Sequence, residues 1–361
     1  MKLWFAADIP SQSFGGVSRS MSELARGLKS RGHTVHIITG SPRAAGNYLV
    51  FAARLGFRFI RFFFSRPDWI LARSTDAVFC ALIIRLFRLN TGILLHNHGW
   101  EECVYDAEKR LPHSVLSNPT TWKSFVVRFP LLRLTLKTCT VCMSGTVHET
   151  RFLKAKYPAL AHKLLYLPNG VTEQELAPWK NRDACPPDFL FVGNTTWKKN
   201  LLHAAGVFSY IKERHADARL FCVGTGLDDT ALSGYIGCRC EGIVTIRSVP
   251  FEEMLHWYGR CPFMLAPSRY EGGHPLAILE AMASGVLVFA SAIPSHTEIL
   301  RNGVNGYCIS GVDAEHDARY ILEKLPLAVN RDIRARAVET AKRNRWQRQV
   351  SRLERVLCRN R

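Results

Sequence analysis

The sequence predicts an α/β protein made of two successive parallel-sheet halves. Three observations carry that expectation. Apolar strand-like runs alternate with helix-period segments from the N-terminus onward. The alternation breaks once, at the polar, proline-bearing stretch Thr172–Pro187, and then restarts. Hydrophobic residues make up 47% of the 361 positions, enough for two sizeable cores and too many for a disordered chain.

In the first half, Lys2–Ala7 (KLWFAA) reads as a strand and Gly15-Gly16-Val17 as a loop. Ser18–Arg31 then carries Met21, Leu24, Ala25 and Leu28 at helical spacing. Gly32 suits the left-handed cap after that helix, and Val35–Thr39 is the next strand. A strand, helix and strand in this order form the crossover unit of a parallel sheet. Ile93–His96 and Thr140–Met143 read as further strands, and Leu164–Val171 ends in a turn signal. The second half repeats the plan, with strands at Asp188–Val192, Arg219–Val223, Val244–Ile246 and Phe263–Ala266 and a helix at Leu201–His215. Near the C-terminus, Trp346, Val350, Leu353 and Leu357 form one helical stripe with arginines on the other faces. Such a helix needs a surface to dock on.

Composition narrows the partners. The net charge of +18 favours acidic ones: nucleic acid, anionic lipid headgroups or phosphorylated substrates. No acid occurs between Arg43 and Arg66, and the last 31 residues hold eleven basic and three acidic side chains. No apolar run reaches the roughly 18–20 residues a membrane-spanning helix needs. The opening MKLWFAAD is cut short by Asp8, unlike a signal peptide, so a cytoplasmic chain is expected. The eleven cysteines are scattered and odd in number. Cys139 and Cys142 lie in TCTVCMS, read here as a strand whose positions three apart point to opposite faces. They are expected to be reduced core residues, and no metal site is predicted.

The most informative segment is Pro267–Ala290, PSRYEGGHPLAILEAMASGVLVFA. A strand leads into a Gly-Gly loop, Pro275 stands at the first position of a helix, Glu280 lies within it and Gly285 ends it. Exposed N–H groups at a helix start favour phosphate, and a carboxylate offers acceptors of the kind ribose hydroxyls need. Gly15-Gly16, feeding a helix, is a second phosphate candidate. Lys199 in GNTTWKKN puts a cation at the C-terminal edge of the second sheet, where open α/β sheets bind ligands. His96 and His98, in LLHNHGW, occupy the matching edge of the first.

Taken with Arg31-Gly32-His33-Thr34-Val35, Pro168-Asn169-Gly170-Val171, Phe191-Val192-Gly193, Val223-Gly224-Thr225-Gly226, Glu298-Ile299-Leu300 and Asn302-Gly303-Val304-Asn305-Gly306, these motifs closely resemble the retaining GT-B-fold glycosyltransferases of group 1, family 4 type. The match runs nearly end to end, and the order and spacing of the motifs make it specific. The resemblance implies two Rossmann-like domains, an acceptor-side domain at residues 1–175 and a nucleotide-sugar domain at 176–340, with a C-terminal helix in 341–361 crossing back to the first. It implies that Gly15 and Gly16 approach the donor diphosphate, that Lys199 neutralises it and that Glu280 binds the ribose. Glu271 would contact the transferred sugar and His98 would lie near the reacting centre. It implies no cofactor or metal, a UDP- or GDP-sugar donor, and a glycan or lipid-linked acceptor. No nucleic-acid partner is expected, since no recognised binding module is present.

One departure stands out. Similar enzymes place seven residues between the two glutamates, whereas Glu271 and Glu280 enclose eight. Either the Gly272-Gly273-His274 loop bulges by one residue, or Glu271 is displaced and His274 takes over some of its contacts. A nucleotide-sugar epimerase on the same architecture and a basic nucleic-acid binder are the alternatives. A last segment, Asn47–Arg66, puts Arg54, Arg58 and Arg61 on one helical face with Leu55, Phe59, Phe62 and Phe63 beside them. Basic and aromatic faces together describe a helix lying on an anionic membrane surface.

Overall fold

The computed structural model describes residues 1–10, 15–40, 48–96, 99–111, 124–176, 187–226, 232, 234, 241–325 and 331–360. Twelve strands fall among them, in two sheets. The first contains β1 (Lys2–Pro10), β2 (Thr34–Gly40), β3 (Trp69–Ala72), β4 (Gly92–His96), β5 (Val141–Ser144) and β6 (Leu164–Tyr166), in the order β2-β1-β3-β4-β5-β6. The second contains β7 (Phe189–Val192), β8 (Leu220–Val223), β9 (Ile243–Ile246), β10 (Phe263–Ala266), β11 (Leu287–Ser291) and β12 (Tyr307–Ile309), in the order β12-β11-β10-β7-β8-β9. Every pairing is parallel. In both sheets the chain winds outward from the opening strand on one side, then returns to build the other. The direction therefore reverses between β1 and β3, and between β7 and β10. At such a switch point the loops diverge and leave a crevice at the carboxyl ends of the strands.

The expected α/β architecture is present, with two refinements. Strand β3 lacks a sequence signal of its own, because WILA is four residues buried on both faces and shows no alternation. Pro275 caps the helix Leu276–Ala283 rather than occupying its first turn, since its ψ of 92° is extended. The polar stretch opens in a capping box at Thr172 and Glu175, and residues 177–186 lie outside the described ones.

Cys139 does not lie on a strand. It ends the helix Phe129–Thr138, and β5 begins only at Val141. Cys139 and Cys142 therefore share one core cluster instead of pointing to opposite faces. Burial raises both thiols, Cys139 to about 11. Cys238 and Cys240 lie outside the described residues.

The two faces of the first sheet are covered differently. One carries helices Tyr48–Arg61, Val78–Leu86 and Phe129–Thr138. Leu55 and Phe59, expected at an outer surface, instead fill this core, and Phe62 stands edge-on to Trp4 with ring centroids 6.1 Å apart. The helix turns its Phe51–Leu55–Phe59 stripe inward because the spacing i, i+4, i+8 aligns them over β1 and β3.

The other face carries Gly16–Lys29 and the C-terminal helix Trp346–Arg359. Its Trp346, Val350, Leu353 and Leu357 are all buried against Leu3, Phe5, Leu24 and Leu28, so the final helix does return to the first sheet. Gly27 permits the contact: a Cβ there would sit 2.5 Å from a Val350 methyl. Arg31 and His33 fix the register by binding Glu354 at 2.6 and 2.8 Å. Leu353→Ala should cost about 2–5 kcal/mol, as a fully buried leucine does, read as a lower midpoint in urea melting. Removing residues 341–361 should leave little soluble protein. A truncated chain as stable as the full one would contradict this packing.

Candidate functional site at the cleft

A cavity opens at the switch point of the second sheet. Phe191 and Val192 from β7 and Met264 and Ala266 from β10 form its floor, and Lys199 and Glu271 stand over it. Pro275, Ala277 and Ile278 bring the start of helix Leu276–Ala283 to its wall. Lys199 owes its place to two backbone features. Asn200, in the left-handed region at φ 58°, hydrogen-bonds with its side-chain amide to the carbonyls of Pro267 and Gly311, both at 3.1 Å. That pins the end of the loop. The Lys199 stem then lies across Gly193, where a Cβ would come within 2.9–3.3 Å of its Cγ, Cδ and Cε.

Lys199 Nζ donates to Glu271 Oε1 at 2.5 Å, and Ser268 Oγ donates to the same oxygen at 2.9 Å. Burial alone would raise the Glu271 carboxyl. The Lys199 ammonium, His296 and the two hydrogen bonds outweigh it and hold Glu271 below its usual range. The eight-residue spacing thus leaves Glu271 in the cavity beside the lysine. His296 is fully buried and driven down to about 4 by burial, so it is neutral at pH 7. Its Nδ1 lies 2.9 Å from the Ser291 carbonyl, which assigns the proton to Nδ1 and leaves Nε2 an acceptor without a hydrogen-bond partner.

Gly272, Gly273 and His274 form the seam between the sheets. A Cβ on Gly145, after β5, would stand 3.0 Å from the His274 nitrogen and 3.2 Å from Gly273 Cα. A Cβ on Gly99, after β4, would stand 3.1 Å from Gly272 Cα. Asn169 donates to the His274 carbonyl at 2.8 Å, while the buried His274 ring is held neutral, near 4, by desolvation. Across the same seam Tyr270 Oη reaches Glu149 at 3.3 Å, and Glu298 accepts from the first two N–H groups of helix Val147–Lys156 at 3.0 Å each. An anion at a helix start is stabilised by the free donors and the helix dipole.

Glu280 is placed differently. It is buried, takes a 2.8 Å hydrogen bond from Tyr258 and is not among the residues that line the cavity. Burial, reinforced by the adjacent Glu175 carboxyl, lifts Glu280 to about 8, and Glu175 is raised too. Arg19, near the start of helix Gly16–Lys29, lies 3.9 Å from Glu175 and 3.3 Å above the Phe251 ring. Gly15 caps that helix and, with Gly16, is exposed. The structure therefore gathers Lys199 and Glu271 into the cavity, puts Gly272–His274 at the seam and leaves Glu280 in a separate carboxyl pair. His98 lies outside the described residues.

Family models match both halves: Glycosyltransferase Family 4 over residues 14–175 and Glycosyl transferases group 1 over residues 186–325. The chain is a glycosyltransferase of the group 1, family 4 type. A curated relative, an uncharacterized glycosyltransferase of Methanocaldococcus jannaschii, is 33% identical over 124 residues, 32% of this chain. That match spans only 30% of the relative's length. Among solved structures, a sucrose-phosphate synthase from Thermosynechococcus elongatus superposes with a TM-score of 0.79 at 15% identity, covering 99% of this chain and 98% of that one. The Anabaena protein HepE in complex with UDP gives 0.70 at 14% identity, with 99% and 100% covered. A lipopolysaccharide outer core galactosyltransferase, WaaB, gives 0.66 at 14% identity over the whole of both chains. These likenesses establish the GT-B fold.

Several groups in this glycosyltransferase site carry no signal of their own in the sequence. Ser268 lies inside the informative motif but is one hydroxyl among many. His296 reaches Glu271, and Tyr258 and Glu175 reach Glu280, only because helices from separate parts of the chain converge. Two outcomes follow from the geometry. Gly193→Ala should push the Lys199 stem aside and weaken binding of a nucleotide-sugar donor in calorimetry, with little change in far-UV dichroism. The Glu280–Glu175 pair should make stability fall as pH rises. Glu280 has a folded pKa near 8 against 4.5 for the free side chain, so the folded state binds the extra proton between those values. Melting temperature should therefore decline between about pH 4.5 and 8, and Glu280→Gln should make that decline shallower, the rest coming from Glu149 and Asp76, which burial raises to about 8 and about 7. An unchanged slope would remove the pair as a source.

Proposed function

We propose that this glycosyltransferase moves a hexose-type sugar, with retention, from a UDP- or GDP-sugar to a glycan or lipid-linked acceptor at a membrane surface. The observation that carries the reading is the Lys199–Glu271 pair over the switch-point cavity, beside a helix start. Lys199 is the cation for the donor diphosphate. Its partner Glu271, kept ionised, meets the hydroxyls of the transferred sugar once the lysine turns to phosphate. The solved relatives support the donor class: HepE is known in complex with UDP and with UDP-glucose. The acceptor side rests on WaaB, a lipopolysaccharide galactosyltransferase, and on the basic surface of the first half.

In this reading the charge on the leaving diphosphate is met by Lys199 and the N–H groups of helix Leu276–Ala283, with no metal required. Transfer should survive chelation with EDTA. Ribose recognition by Glu280 requires it to exchange the Tyr258 hydrogen bond for ribose hydroxyls. Tyr258→Phe, which frees that carboxyl, should then leave donor affinity intact or improve it, while Glu280→Gln should weaken it.

The decisive experiment incubates the protein with a panel of nucleotide sugars and candidate acceptors, and follows both glycosylated product and isomerised donor. Lys199→Ala should slow transfer by about two orders of magnitude or more, the scale seen when one charge-stabilising group is lost. Isomerised donor without transfer would identify an epimerase instead. Near wild-type transfer by the Lys199 variant would pass the role to Lys198.

A further inference from the structure

The face of the first sheet that carries helices Tyr48–Arg61 and Val78–Leu86 ends in an apolar surface that no part of the described chain covers. The two helices cross in near-backbone contact, since a Cβ on Gly56 would stand 2.8 Å from the Phe79 Cβ. From the first helix, Phe57 is 71% exposed and Ile60 54%. From the second, Phe79, Leu82 and Leu86, spaced i, i+3 and i+7 on one helical face, all point outward, and Leu86 is 76% exposed. Phe64 and Phe87 join the two groups: both pack edge-on against Phe63, at 5.6 and 6.0 Å, and Phe64 is 98% exposed. Large aromatic and aliphatic side chains concentrated this way are unusual on a soluble surface.

The charge around this surface has one sign. Arg54, Arg58, Arg61, Arg85 and Arg88 are exposed, and among the described residues none pairs with a carboxylate. From Ala44 to Trp100 the sequence contains only two acids, Asp68 and Asp76. Asp76 is buried, and Asp68 accepts from the Lys2 backbone. The other basic concentration, on the C-terminal helix, lies on the opposite face of the sheet, where Glu354 of that helix pairs with Arg31 and Arg345 at its start pairs with Glu173.

We propose that this two-helix face docks the enzyme on an anionic lipid bilayer, with Phe57, Ile60, Phe64 and Leu86 entering the headgroup boundary and the arginines meeting lipid phosphates. The inference deepens the proposed membrane-surface acceptor and assigns it a face. Charge complementarity selects the occupant. A second copy of the chain would bring five arginines against five. A nucleic acid would gain nothing from Ile60, Leu82 and Leu86. An anionic bilayer satisfies both halves of the surface. The inserting residues differ from those the sequence points to: Leu55 and Phe59 are core, and Phe62 leans on Trp4 beneath Arg58.

The test is co-sedimentation of the full chain with vesicles of phosphatidylcholine alone or mixed with phosphatidylglycerol. Binding should require the anionic lipid and fall with added salt. Phe57→Ser, Phe64→Ser and Leu86→Ser combined should reduce partitioning by about tenfold or more. Arg61→Ser and Arg85→Ser should each reduce it about fivefold. All five side chains are exposed, so melting temperatures should not change, and the arginine variants test the face even where the apolar triple variant expresses poorly. Equal binding to both vesicle types, no binding to either, or wild-type binding by the triple variant would overturn the assignment. So would a vesicle-free dimer that the same substitutions dissolve. The UDP-sugar-induced melting shift, measured on the same preparations, separates the two readings. A donor shift without vesicle binding refutes the docking face alone. Vesicle binding without a shift from any donor refutes the transfer reading and leaves the face standing.

Discussion

At the seam between the two sheets, Gly99 and Gly145 meet Gly272–His274 backbone to backbone, so closely that a Cβ on either would force the facing backbone to shift by a few tenths of an ångström. This approach sets the width of the cleft. With the loops so close, Asn169 reaches the His274 carbonyl, Tyr270 reaches Glu149, and Glu298 caps a helix of the opposite sheet. Each of these bonds crosses from one half to the other. Together they hold the carboxyl ends of β4 and β5 against that of β10 and bring the switch point of the second sheet to the base of the cleft.

Two glutamates nine positions apart on one loop-and-helix segment are tuned in opposite directions. Glu271 has a lysine, a serine and a histidine turned toward it, so burial is overcome and its carboxyl stays ionised. Glu280 faces a tyrosine and a second carboxyl, so burial prevails and it retains a proton near neutral pH. The difference is one of neighbours, since both are glutamates within the same segment. An ionised group beside a cation suits contact with phosphate and sugar. A protonated acid beneath it fixes the helix instead, and any role with ribose requires the pair to rearrange.

The charge of the chain is also divided by tertiary structure. The C-terminal helix is fastened to the first half through its Glu354, which pairs with Arg31, and through the bond of its Arg352 to the Tyr166 carbonyl. The arginines on helices Tyr48–Arg61 and Val78–Leu86 pair with no carboxylate among the described residues and surround exposed apolar groups, with Arg58 lying over Trp4 and Phe62. A single figure of +18 conceals two uses of the same residue type.

The sequence by itself determined the strand–helix alternation, the pause near 172–187, the docking stripe of the last helix and the motifs that carry the family. These are local or periodic properties, written by turn chemistry and by where apolar residues recur. It also placed Lys199 and Glu271 at a sheet edge, because loop position follows from strand position. Only the tertiary structure decided that the two form an ion pair, that Glu280 turns away toward Tyr258 and Glu175, and that His296 sits beneath them. Only it sent Leu55 and Phe59 inward and left Phe57, Phe64 and Leu86 outside. The physical reason is common to all of these. A side chain's ionisation and exposure depend on groups brought from distant parts of the chain, and spacing along the sequence records which face a residue shares but not what that face meets.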